Sequence, residues 1–126
     1  MKTFFVSISI GILVVAVSVF YTYRLEKVSD SLVSDNKELI EVLENDDFES
    51  AEKIAEKMGD YINKKKTVLA IFVNHEDLDK IEFAMAELRG YVECRIKADA
   101  ISKCVSLDVL LRHMPKNYKL KVENVL

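Results

Sequence analysis

The residues of this chain that could perform metal chemistry are its two histidines and their acidic neighbours. His75 and Asp79 are four residues apart, so on a helix both side chains would lie on one face, with Glu76 beside them. A zinc-protease motif would need a second histidine where Asp79 stands, and the only other histidine, His113, would have to be brought close by folding. We therefore predict no metal site. His75, Asp79 and His113 are kept as candidates only, since polar capping of a helix start is the commoner role for such a group.

Lysines and cysteines give two further candidates. The run Lys64–Lys66 could bind phosphate or an anionic lipid head group, although a solvated helix face explains such runs more often. Cys94 and Cys104 are ten residues apart, about 15 Å along one helix, which is too far for a disulfide. We expect two free and largely buried thiols.

The remaining sequence offers no catalytic motif. It contains neither a glycine-rich phosphate loop nor a GxSxG nucleophile turn. The net charge is −3, and no basic patch is interleaved with aromatic residues, which argues against nucleic acid as a partner. We predict no catalytic residues, no cofactor and no enzymatic activity.

An apolar run from Phe4 to Tyr23 dominates the N-terminal part of the chain. These twenty residues include no charged side chain. As a helix they would cover ~30 Å, the thickness of the hydrocarbon core of a bilayer. Lys2 and Arg24 stand at the two ends of the run, and tyrosines occupy the position of an interfacial aromatic belt. The sequence predicts a membrane anchor at residues 1–24 that contacts the bilayer through residues 4–23.

A cleaved signal peptide is the alternative for this run. Ala16-Val17-Ser18 resembles the small-x-small pattern of a cleavage site. The apolar run continues past this site to Phe20, however, and the segment before it has Lys2 as its single base. An uncleaved signal anchor is therefore favoured.

Residues 25–126 are long enough for one small domain, and their composition is typical of helices. The whole chain has three glycines and one proline. We predict an all-α fold, an antiparallel bundle with helices at about 25–44, 47–73, 75–94 and 97–114, or with one bent helix in place of the last two. Pro115 would end the last helix, and the alternation of apolar and charged residues from Tyr118 to Glu123 predicts an extended tail at 115–126.

Apolar residues at spacings of three and four mark the faces expected in the core. In the first helix Asp35 interrupts the series, and in the second a parallel stripe of Ile54, Tyr61 and Val68 suggests a helix packed on two sides at the centre of the bundle. The main stripes are Leu25, Val28, Leu32, Leu39 and Val42; Phe48, Ala51, Ala55, Met58, Ile62, Leu69 and Phe72; Leu78, Ile81, Met85, Leu88 and Val92; and Ala98, Ile101, Val105, Leu110, Leu111 and Met114.

Polar residues predict the turns and the surface. Asn45 is expected in a left-handed conformation before Asp46 caps the second helix, and Asn74 is expected to cap the third. Acid-first pairs at i,i+4 are expected on the helix surfaces, namely Glu49–Lys53, Asp60–Lys64, Glu76–Lys80, Glu93–Lys97, Asp99–Lys103 and Asp108–Arg112.

Short motifs give the chain a resemblance to a known family. The N-terminal span, the Asn45–Phe48 turn, the Asn74–Asp77 turn and the closing Val122–Leu126 segment resemble a family of small single-span proteins from bacilli and clostridia. That family is described only as a domain of unknown function. The resemblance implies a location in a bacterial cell membrane, and it brings no activity or site residues.

The sequence thus leads to two functional hypotheses. The first is a non-catalytic, membrane-tethered bundle that docks or scaffolds a protein partner. The second is an extracytoplasmic sensor whose bundle binds a metal or small ligand near His75. The acids that follow the span, such as Glu26 and Asp30, favour a bundle outside the cytoplasm, whereas Arg24 and Lys27 favour the opposite orientation.

Overall fold

Four helices account for nearly all of the chain. The computed structural model describes the backbone of residues 1–125 and the side chains of residues 1–115 other than Phe72. The helices are α1 (Lys2–Glu44), α2 (Phe48–Phe72), α3 (His75–Glu93) and α4 (Lys97–Val125). No strand occurs within residues 1–125, so the predicted all-α fold is confirmed.

The helices form an antiparallel bundle in which each packs against two others. α1 contacts α2 and α4, and α3 contacts the same two helices, so the four form a ring. Residues 75–114 form two helices separated by a turn, as predicted. The prediction of a central second helix was wrong. α2 is packed on two sides, but so is every other helix of the ring.

The core stripes of α2 and α3 lie where the spacing predicts. Ala51, Ala55, Met58, Ile62 and Leu69 are buried on α2, and all five predicted positions of α3 are buried. In α1, Leu25, Leu32 and Leu39 recur every seven residues in the core. Their companion series, also at sevens, is Ser29, Asn36 and Leu43. The core of α1 therefore includes two polar residues, Ser29 and Asn36. Asn36 directly follows Asp35, the residue that interrupts the predicted stripe.

The predicted core face of α4 was partly wrong. Leu111 and Met114 are buried as expected, but Ala98 and Val105 are exposed and Ile101 is half-buried. Ala100, Cys104 and Leu107 take the core positions instead. Small side chains at 100 and 104 let α4 approach its neighbours, and the larger valine and isoleucine nearby had dominated the sequence pattern.

The predicted end of α4 at Pro115 and the extended tail were also wrong. α4 continues through Pro115 to Val125, while Leu126 lies outside the described residues. Proline has no N–H, so the Leu111 carbonyl four residues earlier cannot receive its usual helical hydrogen bond. The hydroxyl of the buried Ser29 donates to this carbonyl oxygen instead, at 2.7 Å. The neighbouring helix thus satisfies the group that the proline orphans.

Two equivalent turns form the end of the bundle that lies away from the apolar N-terminal run. In each turn a residue with positive φ follows the helix, Asp46 (φ 59°) after α1 and Arg95 (φ 57°) after α3. The next amides donate to Val42 and to Tyr91, both at 2.9 Å, which is the hydrogen-bond pattern of a Schellman motif. The left-handed residue is therefore Asp46 and not Asn45.

Capping at the helix starts differs between α2 and α3. The Asp47 side chain, rather than that of Asp46, caps α2 by accepting a hydrogen bond from the Ser50 amide at 3.2 Å. Hydrogen bonds from the Ser50 side chain and backbone lower the pKa of Asp47. Asn74 is the N-cap residue of α3, as predicted, but its side chain makes no capping hydrogen bond.

Most of the ion pairs among the described side chains join different helices or turns. Of the six pairs predicted within helices, Asp108–Arg112 forms, with Nε–Oδ distances of 3.0 Å. Lys97 lies near Asp46 and donates to the Glu44 carbonyl oxygen, which connects the two turns. The other interhelical pairs are Lys57–Asp35, Lys66–Glu82 and Lys103–Glu87.

Candidate functional site

The candidate metal ligands lie on the surface and do not converge. His75, Asp79 and His113 are all exposed. His113 borders a depression of about 160 Å³ between α3 and α4, together with Asp77 and Lys80, whereas His75 and Asp79 do not line it. Within the described residues, no three His, Cys, Asp or Glu side chains are grouped so that they could hold a metal ion. The buried polar cluster that the sensor hypothesis needs does not form from these three residues.

The lysine run on α2 divides among three environments. Lys66 pairs with Glu82 of α3 at 3.0 Å. Lys65 lies half-buried with its Nζ 5.9 Å from the centre of the Tyr61 ring, and Lys64 is exposed. The run is therefore not a single solvated face, because Lys65 turns toward α1.

The two cysteines differ in exposure. Both are free, but Cys94 is exposed at the end of α3, where it is the C-cap residue, so the expectation that both are buried was wrong for Cys94. Cys104 is buried on the core face of α4, and burial raises its pKa from 9.0 to about 12. A thiol with so high a pKa is a poor nucleophile near neutral pH, so neither its position nor its acidity suits redox catalysis.

A polar interface between α1 and α4 was not foreseen from the sequence. The Asn36 side chain donates from Nδ2 to the Cys104 carbonyl oxygen at 2.8 Å, seven residues along α1 from Ser29. Its Oδ1 atom is buried and has no hydrogen-bond partner within the described residues. The sequence signal that could have revealed this interface is the seven-residue spacing of Ser29, Asn36 and Leu43. These contacts fix the register of α1 against α4 and place no reactive group at a surface.

The N-terminal half of α1 projects from the bundle. Among the described residues, α1 contains the single segment that is long and apolar enough to cross a membrane, and none of that segment is buried in the protein. Large apolar side chains are exposed from Phe4 to Phe20, whereas Leu25 is buried in the core. One unbroken helix therefore carries both the apolar segment and one side of the bundle.

A groove of about 310 Å³ opens between α1 and α2 where the apolar segment meets the bundle. Arg24 and Lys65 approach it from the two helices, and the Arg24 guanidinium lies 5.4 Å from the centre of the Phe20 ring. The remaining lining residues are aromatic or aliphatic: Tyr21, Leu25, Val28, Val68 and Leu69. The groove therefore combines two cationic groups with an apolar floor.

The outer faces of α3 and α4 carry exposed apolar side chains. Phe83 on α3 is 70% exposed. Val105 and Val109 on α4 are 56% and 50% exposed, and their i,i+4 spacing places them on one face. Burial of such side chains against a partner would remove apolar surface from water.

The fold and its surfaces define a class of small helical proteins in which an exposed apolar N-terminal segment continues into a four-helix bundle. The chain belongs to the DUF4363 family, described as a domain of unknown function, whose family model matches residues 19–125. The match takes in the whole bundle and the last residues of the apolar run. The predicted resemblance to a domain of unknown function is thus confirmed. No curated protein and no solved structure matches the chain.

Proposed function

We propose that this protein is a membrane-tethered helical bundle that docks another protein. The continuity of α1 carries this proposal. Its side chains are mainly apolar and exposed over the first five turns, and one face of it belongs to the bundle core from Leu25 onward, with no break between the two parts. A helix of 43 residues is about 65 Å long, of which about half would lie within the bilayer. Such a helix would hold the bundle directly at the membrane surface.

We further propose that Phe83 on α3 and Val105 and Val109 on α4 contact the same partner, and we call these three residues the outer apolar face. Exposed apolar patches mark protein interaction sites, and aromatic residues such as Phe83 are enriched in the cores of protein interfaces. No catalytic function competes for these positions, since none of the three can transfer protons or bind a metal ion. The partner is expected to offer a complementary apolar surface near the membrane.

Site-specific photo-crosslinking in native membranes tests the docking role. A benzophenone side chain placed at position 83 or 109 should give one discrete crosslinked product. The same group at Asn63, an exposed position on α2, serves as the control and should give none. The double variant V105S/V109S should stay folded and lose the product formed from position 83. Equal crosslinking from position 63, or a product that persists in V105S/V109S, would contradict docking through this face.

A double histidine variant separates docking from ligand sensing. His75→Ala with His113→Ala removes both imidazoles, which are exposed, so we expect the fold to persist with a loss of at most ~1–2 kcal/mol near the start of α3. Partner recovery by crosslinking should be unchanged, since docking through apolar anchors needs no titratable group. A folded, membrane-inserted double variant without biological activity would favour the metal- or ligand-binding hypothesis.

We also propose that the bundle lies outside the cytoplasm, with the short N-terminus inside. The support is the set of acidic side chains that follow the span, which would lie poorly against an anionic cytoplasmic leaflet. Protease added to intact protoplasts should then degrade a C-terminal tag. Full protection of the tag, together with its degradation after lysis, would place the bundle in the cytoplasm.

A further inference from the structure

The groove between α1 and α2 lies where the apolar segment of α1 joins the bundle. It lies at the end of the exposed apolar segment, with Phe20 and Arg24 contributed by α1 and Lys65 and Val68 contributed by α2. If α1 spans a bilayer, as proposed above, this groove opens at the level of the lipid head groups. Phospholipids are then the most concentrated molecules at its entrance.

The two cations of the groove have no carboxylate partner among the described side chains. Among the described side chains, neither Arg24 nor Lys65 forms an ion pair, whereas their neighbour Lys66 is paired with Glu82. Arg24 lies over the Phe20 ring and Lys65 over the Tyr61 ring. A ring face holds a cation in position without cancelling its charge, so the N–H groups remain able to donate to an anion.

No acidic residue lines the groove, although acids are common nearby in the sequence. Glu26 and Asp30 belong to the same stretch of α1, yet neither is part of the lining. The floor and walls are instead Phe20, Val28, Val68 and Leu69, together with other apolar side chains. The groove thus offers positive charge at two points and apolar surface between them.

We propose that the α1–α2 groove binds one anionic phospholipid, with its phosphate between Arg24 and Lys65 and the start of an acyl chain against Phe20 and Val68. The guanidinium fork and the ammonium group both suit a phosphate, and the apolar lining suits a chain that a free phosphate lacks. This inference rests on the proposed membrane tethering. It adds a lipid as a second partner, at a surface separate from the outer apolar face.

Native mass spectrometry of the full chain in detergent micelles tests this site. The probes are phosphatidylglycerol, zwitterionic phosphatidylcholine and soluble glycerol phosphate. The parent protein should retain one phosphatidylglycerol in preference to phosphatidylcholine. Glycerol phosphate should not displace it at millimolar concentration, because it makes no apolar contact.

Two matched double variants locate the binding site. Arg24→Gln with Lys65→Gln removes both groove cations and should weaken phosphatidylglycerol binding by about 30-fold, since each basic side chain contributes a factor of about five at an anionic lipid surface. Lys27→Gln with Lys64→Gln removes the same charge from exposed positions on the same helices outside the groove lining. This control should change binding by less than about 3-fold, because charges outside the groove are screened by salt.

The outcomes separate this proposal from the tethering on which it rests. The proposed site would be overturned if the groove variant and the control variant lost phosphatidylglycerol binding equally. It would also be overturned if the parent protein retained phosphatidylglycerol and phosphatidylcholine equally. Displacement by glycerol phosphate would assign the groove to soluble phosphate compounds. Membrane tethering is measured independently by alkaline carbonate extraction. Both double variants should stay in the membrane pellet. Release of the parent protein into the supernatant would refute the tethering and not the lipid site alone.

Discussion

Ser29 shows how one buried hydroxyl permits a helix to continue through a proline. Proline inside a helix costs about 3 kcal/mol or more, partly because it leaves a carbonyl without a donor. In this protein the orphaned carbonyl is that of Leu111, and Ser29 donates to it from α1. The serine is thus a structural complement to Pro115, and the two residues should be energetically coupled.

We expect Ser29→Ala to destabilise the full chain by ~1–3 kcal/mol, because it leaves the Leu111 carbonyl buried without a hydrogen bond. In a Pro115→Ala background the amide of residue 115 can bond that carbonyl, so the same substitution should cost about 1 kcal/mol less. Thermal unfolding of the four variants in detergent measures this coupling. Ser31→Ala, at an exposed position of α1, is the control and should have little effect in either background. Additive losses would show that Ser29 does not compensate for the proline.

The cysteines give a second prediction at the residue scale. Near pH 8, iodoacetamide should modify Cys94 rapidly in the folded protein and Cys104 only after unfolding. The Cys104 pKa is raised in the folded state, so above about pH 9 the unfolded chain loses this proton while the folded chain keeps it until about pH 12. The contribution of this thiol to stability is therefore complete below pH 9 and is lost as the pH rises toward 12.

Cys104→Ala should accordingly show a smaller fall in melting temperature between pH 8.5 and 10.5 than the control Cys94→Ala, which removes an exposed thiol. All other side chains are the same in the two variants, so the difference between them reports the buried thiol against the exposed one. An identical pH dependence in the two variants, or rapid alkylation of Cys104 in the folded protein, would contradict its buried position.

At the scale of the elements, the paired Schellman turns show where the backbone is under strain. Asp46 and Arg95 occupy the left-handed position that glycine fills most easily. Arg95 also lies 5.9 Å from the Phe48 ring, so its side chain offsets part of the backbone cost.

Comparison of two substitutions at position 95 separates these effects. Arg95→Ala and Arg95→Gly both remove the contact with Phe48, but only glycine relieves the left-handed strain. We expect the glycine variant to be more stable than the alanine variant by ~1–2 kcal/mol in chemical denaturation. Equal stability of the two would indicate that this turn does not hold a left-handed residue in solution.

The sequence predicts the elements whose core residues are large and regularly spaced. In α3, Leu78, Ile81 and Met85 follow a single pattern, and all are buried. In α4 the core residues Ala100 and Cys104 are small, so Ile101 and Val105 dominated the pattern although they are less buried. Ser29 and Asn36 lie outside the apolar stripe predicted for α1, and their burial depends on carbonyl groups of α4 that periodicity in α1 cannot reveal.

The groove between α1 and α2 could not be predicted from the sequence, because its two cations come from distant parts of the chain. Arg24 and Lys65 are 41 positions apart and belong to separate features of the sequence, the end of the span and the lysine run. Their approach across the groove follows from the register of α1 against α2, which is set by packing. The resemblance identified the family without an activity, so the proposed partners depend on surface chemistry.

For the whole molecule, charge is distributed unevenly along the bundle axis. The turn between α1 and α2 includes Asp46 and Asp47, and the adjoining part of α2 adds Glu49, Glu52 and Glu56. The opposite end mixes bases with acids, since Arg24, Lys27 and the lysine run lie there together with Glu26, Asp30, Glu76, Asp77 and Asp79. The end of the bundle that lies away from the span is therefore the more acidic one, which suits a position away from an anionic lipid surface, while the groove presents its two bases near the span.

The continuity of α1 from the bilayer into the bundle is the central claim, and the intact mass of the protein recovered from membranes tests it most directly. Membranes washed with alkaline carbonate should retain the protein in the pellet, at the mass of a chain that still contains residues 4–23. A retained chain keeps the apolar segment joined to Leu25 and the bundle core. Recovery of a soluble chain that begins after Ser18 would show that the segment is a cleaved signal peptide and would contradict the tether.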